Sequence, residues 1–157
     1  MTGAAVARTL LAAARTFLVA AALACSGAAL ADANVVAPPQ NNADFDLGFD
    51  AVRARDWDRA VYHLAIAAKA EPGNADVQNL LGFAYRNQKR LDLAFAHYRE
   101  ALKLDPNHRG AHEYVGEAYL MTGDKAKAQE HLAALERICG RNCDEYRDLA
   151  RAIAQAK

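Results

Sequence analysis

Apolar and polar residues alternate along most of this chain with the period of helices that bury one face. From about residue 44 the pattern comes in pairs of amphipathic stretches separated by short polar breaks. Within the pairs the breaks are Arg55-Asp56, Lys89-Arg90 and Gly123-Asp124. Asp56 and Asp124 are placed to cap the following helix by accepting from its free N–H groups. Pro72 and Pro106 close the second helix of their pairs, because proline cannot continue the N–H ladder. Beyond the third pair, Tyr146, Leu149, Ala150 and Ile153 recur among Asp144, Glu145, Arg147, Asp148 and Arg151. That spacing predicts one more amphipathic helix, of about three turns, which covers the apolar edge of the last pair. No strand pattern occurs, and the predicted fold is all-α.

The pairs are copies of one unit. Slid along itself by a constant 34-residue offset, the chain places Gly48 on Gly82 and then Gly116, Ala60 on Ala94 and Ala128, and Pro72 on Pro106. Leu47, Leu81 and Val115 align, as do Leu64, Tyr98 and Leu132. A small residue at the aligned sites lets two antiparallel helices approach closely, near the ~8 Å end of the usual range, while bulky neighbours fill the remaining space. Leu81-Gly82 and Tyr85 in a first helix, followed by Ala94, Tyr98, Ala101 and Pro106 in a second, resemble the signature of the tetratricopeptide repeat family. The outer repeats depart from it: Ala51 stands where the family has tyrosine, Leu135 replaces a small residue, and Gly140 replaces proline. Atypical ends are expected where stacking stops.

The resemblance implies a right-handed α-solenoid of three helix-turn-helix repeats with a C-terminal capping helix. It also implies a concave groove, lined by the first helices, that takes an extended peptide or a partner helix. Residues opposite the packing glycines face such a groove: Phe45, Phe49 and Val52 in the first repeat, Asn79, Phe83, Arg86 and Asn87 in the second, and Glu113, Glu117 and Leu120 in the third. Asn79, Phe83 and Arg86 share one stripe by their i, i+4, i+7 spacing. Some family members capture a terminal carboxylate with a lysine, asparagine and arginine clamp. Phe45 and Phe49 at one end, and glutamates at the other, disfavour that role here.

The stretch from Met1 to Ala31 has a different character. Arg8 and Arg15 precede an apolar run from Phe17, small residues follow, and Ala29-Leu30-Ala31 stands before Asp32, with no acidic residue throughout. That order is that of a secretory signal peptide. Its apolar part is shorter than the ~20 residues that span a bilayer. The chain therefore divides into a leader over 1–31, a Pro- and Asn-rich flexible linker over 32–43, three repeats over 44–140 and a capping helix over 141–157. The destination is the periplasm or the exterior of a bacterium, with no transmembrane segment after cleavage. The alternative is lipid anchoring at Cys25, although Ala22-Leu23-Ala24-Cys25 matches a lipobox only loosely.

Composition narrows the chemistry. The whole chain is formally neutral, with 19 basic and 19 acidic residues. Losing Arg8 and Arg15 leaves 17 basic residues and a net charge of −2. No basic patch marks a nucleic-acid surface. Ser26, the sole serine, lies in the leader, and no glycine-rich phosphate loop follows a strand, so no catalytic residue and no cofactor is assigned. Cys139 and Cys143 are the cysteines left after cleavage. An exported protein permits a disulfide between them, worth about 2 kcal/mol for so small a loop. A redox dithiol or free thiols are the alternatives. His63, His97 and His131 recur at the 34-residue period. Metal binding would need their nitrogens to converge to ~2 Å from one ion, whereas a half-exposed amphipathic ring position needs no ligand, so no metal site is assigned. The function these features imply is a protein or peptide scaffold, with a self-associating structural protein as the alternative.

Overall fold

The computed structural model describes residues 43–156; the leader, Cys25 and nearly all of the linker lie outside the described residues. Seven helices follow one another: α1 (Ala43–Arg53), α2 (Trp57–Ala70), α3 (Ala75–Asn87), α4 (Leu91–Leu104), α5 (Arg109–Met121), α6 (Lys125–Cys139) and α7 (Asp144–Gln155). Helix α1 thus takes in Ala43, a residue assigned to the linker by sequence.

The turns follow local chemistry. Asp56 caps α2 by accepting from Arg59 N at 3.2 Å, and Asp124 caps α6 by accepting from Lys127 N at 3.0 Å. Before each second helix the chain passes through a left-handed residue: Arg55 (φ 59°), Lys89 (φ 64°) and Gly123 (φ 80°). These positions recur at the repeat period, and only the third uses the residue that adopts this conformation without cost.

In the first two pairs the helices touch through the aligned glycines. A Cβ on Gly48 would lie 2.6 Å from Leu64 Cγ, and one on Gly82 would lie 2.6 Å from the Tyr98 ring. Leu64 and Tyr98 are fully buried. The third repeat differs: Leu132 aligns with Leu64 and Tyr98 but does not fill its repeat's glycine slot. The nearest atoms to a Cβ on Gly116 belong to Leu149 of α7, at 2.6 Å, and Leu132 is only partly buried. The capping helix therefore docks into the third glycine slot. Leu135, atypical for its position, is buried beside Leu149 and Ile153 in the same cluster.

Packing also sets the curvature. The odd-numbered helices touch along the stack, α1 with α3, α3 with α5 and α5 with α7, whereas among the described residues α2, α4 and α6 do not touch one another. The odd helices therefore form the inner, concave layer. Leu47 is 38% exposed whereas its equivalents Leu81 and Val115 are buried, because no described repeat precedes the first.

The histidine ladder pins each pair together. His63 Nδ1 bonds Asp44 Oδ1 at 2.8 Å, His97 Nδ1 bonds Gln78 Oε1 at 2.8 Å, and His131 Nδ1 bonds His112 Nδ1 at 2.9 Å. The partners, at positions 44, 78 and 112, follow the same repeat period. Tyr85 stacks on His97 and Tyr119 on His131, with centroids 5.3 and 5.7 Å apart. His112 Nε2 faces the Pro106 carbonyl at 3.0 Å, which assigns the Nε2 proton to His112 and makes His131 Nδ1–H the donor of the pair.

Substituting Gly82→Ala drives a methyl into the buried Tyr98 ring. Overpacking of about 1–3 kcal/mol outweighs the ~1 kcal/mol gained in helix propensity. Urea denaturation should show a net loss of about 1–2 kcal/mol, against a change within ~0.5 kcal/mol for Gly73→Ala, where a Cβ meets nothing within 4 Å.

Candidate functional site

The concave layer brings the second and third repeats into one patch. Phe83 on α3 meets Tyr114 on α5 with centroids 4.7 Å apart, and Trp57 at the start of α2 meets Phe83 edge-on at 5.8 Å. The Arg86 guanidinium lies 5.0 Å from the Phe83 centroid and 5.4 Å from that of Tyr114. Arg86 Nη1 donates to the Tyr114 carbonyl at 3.4 Å and pairs with Glu117. The pair is mostly buried, with the Arg86 side chain 11% exposed and that of Glu117 29%. Such a pair adds little net stability, but it fixes the registry of α3 against α5.

The remaining sequence-predicted residues divide into three groups. Asn79 is 6% exposed, beside Gly110, whose missing Cβ would lie 3.2 Å from Asn79 Nδ2. Asn79 Oδ1 is buried without a hydrogen-bond partner. Asn87 is turned back on its own helix, Nδ2 donating to the Phe83 carbonyl at 2.8 Å. Phe45 and Val52 pack against the core of the first repeat, and exposed Phe49 stacks on Phe45 at 6.5 Å. Leu120 packs against the α6–α7 core and also lines a pocket of about 310 Å³ with Arg86, Glu117, Met121 and Ala152. Asn79, Phe83, Arg86, Glu113 and Glu117 therefore fall on the patch, Asn87 and Leu120 share the adjoining pocket with Arg86 and Glu117, and the first-repeat phenylalanines form a pair of their own.

Tyr114 and the acids of α7 are the members that sequence reasoning missed. Tyr114 adjoins Glu113, and its aromatic character was the available signal. Asp148 and Glu145 enter only because α7 docks beside α5. Glu113 makes no hydrogen bond or ion pair among the described residues. Burial first, and then the nearby carboxylates Glu117, Asp148 and Glu145, push it up to about 7. Burial also raises Tyr114, and it pushes the fully buried Tyr98 hydroxyl well above the usual tyrosine range.

At the far end of α6, Cys139 and Cys143 stand with Cα atoms 5.9 Å apart and their sulfurs in bonding contact. Together with Glu145 they form a three-donor cluster of half-buried groups. Joined as a disulfide, these sulfurs would present no thiolate to a metal. Among the described residues no helix is long and apolar enough to cross a membrane.

A stack of helix pairs whose inner face gathers rings, carboxylates and guanidinium groups defines a helical-repeat protein. The chain belongs to the tetratricopeptide repeat family: residues 45–109 match one tetratricopeptide repeat profile and residues 85–153 match another. A chloroplastic tetratricopeptide repeat domain-containing protein of Arabidopsis thaliana, PYG7, is 37% identical over 65 residues, 41% of this chain. The matched stretch is only 22% of that relative's length. Among solved structures, the first tetratricopeptide domain of Spaghetti (RPAP3), bound to the HSP90 peptide SRMEEVD, superposes with a TM-score of 0.65 at 19% identity. That likeness covers 73% of this chain and 90% of the other, and it concerns the fold alone. MamA MSR-1 C2 superposes with a TM-score of 0.58 at 30% identity, over 64% of this chain and 57% of the other.

Two groups give the stability opposite pH slopes. His131, desolvated and facing His112, is held down to about 4 from 6.5, so its contribution is lost as pH falls through that interval. Glu113, raised from 4.5 to about 7, makes the native state take up a proton, so its contribution grows as pH falls between those values. Denaturant midpoints at about pH 7 and about pH 5 should therefore fall more steeply on acidification in Glu113→Gln than in wild type, and less steeply in His131→Gln. Above about pH 8, Glu113→Gln should gain on the order of 1 kcal/mol, after discounting for screening at a half-exposed site.

Proposed function

We propose that this chain is an exported scaffold whose concave face holds an extended segment or helix of an envelope protein, in the periplasm or outside the cell. The observation that carries the groove reading is the patch of Phe83, Tyr114 and Arg86. Two rings on neighbouring inner helices stay partly open to solvent while a guanidinium locks them in place. Aromatic rings and arginine are the side chains that carry most binding energy at protein interfaces. A peptide-bound structural neighbour supports the same use of this fold. Replacing both rings, Phe83→Ala with Tyr114→Ala, should weaken a partner recovered by crosslinking from the native envelope by about tenfold or more. Circular dichroism should report an intact helical fold; unchanged affinity in a folded variant would sink the reading.

Export rests on the order of charge, apolar run and small residues over 1–31, and on the cysteine pair, which an oxidising compartment would keep as a disulfide. The bond would tie the end of α6 to the start of α7, and so hold the capping helix near Gly116. Mass spectrometry of the native protein should find a mature chain beginning at Asp32 whose mass reports Cys139 and Cys143 joined. An intact Met1 in the cytoplasmic fraction would contradict it.

A further inference from the structure

We infer, on the basis of the groove reading above, that the segment held between α3, α5 and α7 is basic and delivers a lysine or arginine side chain to Glu113. Three carboxylates bear on Glu113 through their charge, and each of the three has a guanidinium partner. Arg86 pairs with Glu117, Arg109 with Glu145 at 3.5 Å, and Arg151 with Asp148 at 3.0 Å. Glu113 has none. Of the nearby cations, Arg86 is already engaged by Glu117, the Tyr114 carbonyl and two ring faces, and Lys89 lines the pocket beside Glu117 and Leu120.

The groups without partners point the same way. Asn79, on the Phe83 and Arg86 stripe, holds its Oδ1 buried with no donor. Tyr98, fully buried on α4, has a hydroxyl with no partner among the described residues, and its charged and polar neighbours are Arg86, Glu117, Tyr114 and Glu113. A half-buried carboxylate and an orphan amide oxygen need N–H donors, which ammonium and guanidinium groups supply without any acceptor. The Phe83 and Tyr114 rings offer a surface for the aliphatic stem of such a side chain. An acidic segment would instead add like charge to a site that already disfavours its own.

The test is fluorescence anisotropy with three labelled peptides of one glycine–serine backbone, each with one leucine and carrying lysines, glutamines or glutamates at the same places. In ~0.15 M salt the lysine peptide should bind about tenfold tighter than the glutamine peptide. Glu113→Gln should remove most of that difference and leave the glutamine peptide unaffected. Glu130→Gln, on the exposed side of α6, should change neither. The wild-type affinity for lysine should rise between about pH 6 and about pH 8, as Glu113 ionises among Glu117, Glu145, Asp148 and Arg86, and the variant should lose that rise. Equal binding of all three peptides, or lysine binding indifferent to Glu113→Gln, overturns the charge inference while leaving the groove reading intact, provided Phe83→Ala still weakens binding. Absence of binding by every peptide, or binding indifferent to Phe83→Ala, counts against both.

Discussion

A missing methyl group recurs at the centre of every repeat. Gly48, Gly82 and Gly116 each leave a slot that a large side chain fills at a distance no Cβ could tolerate. In the first two repeats that close approach sets the spacing of the helix pair, and pair spacing sets how repeats stack. The first two slots are filled from within their own repeat, by Leu64 and Tyr98. The third is filled by Leu149 from α7, so the same constraint that builds the repeat also ends the stack. The inner layer, in which α3, α5 and α7 lie side by side, follows from this arrangement.

Function inherits the geometry. Tyr98 fills the Gly82 slot with its ring, and its charged and polar neighbours Arg86, Glu117, Tyr114 and Glu113 belong to the proposed patch. Docking of α7 places Asp148 and Glu145 beside Glu113 and raises its proton affinity. A cap that closes the apolar edge thus also sets the charge of the groove. The His–Asp, His–Gln and His–His bridges lie between the helices of each pair and act as pins, while the binding patch lies between pairs.

The fold was legible because the 34-residue recurrence of glycine, alanine and proline reports contacts inside one repeat, and such contacts repeat with the sequence. The histidines recurred just as visibly. Their partners at 44, 78 and 112 were overlooked because the chemistry there changes from aspartate to glutamine to histidine, and only the hydrogen-bonding role is kept. The Leu149 partner of Gly116 was not legible, because Leu132 aligns with Leu64 and Tyr98 whereas a helix outside the repeat pattern fills the slot. The stripe of Asn79, Phe83 and Arg86 could be read from helical spacing. The isolation of Glu113 could not, because it depends on which cations the neighbouring helices use up.

The central claim is that partners are held on the inner layer, across α3, α5 and α7. Two-dimensional amide NMR of the labelled chain, with and without a bound lysine-bearing segment, addresses it directly. The account predicts that the largest shift changes fall on residues around Phe83, Glu113, Tyr114 and Asp148, with α2 beyond Trp57 and the exposed side of α6 undisturbed. Changes concentrated on α2, α4 and α6 would contradict it.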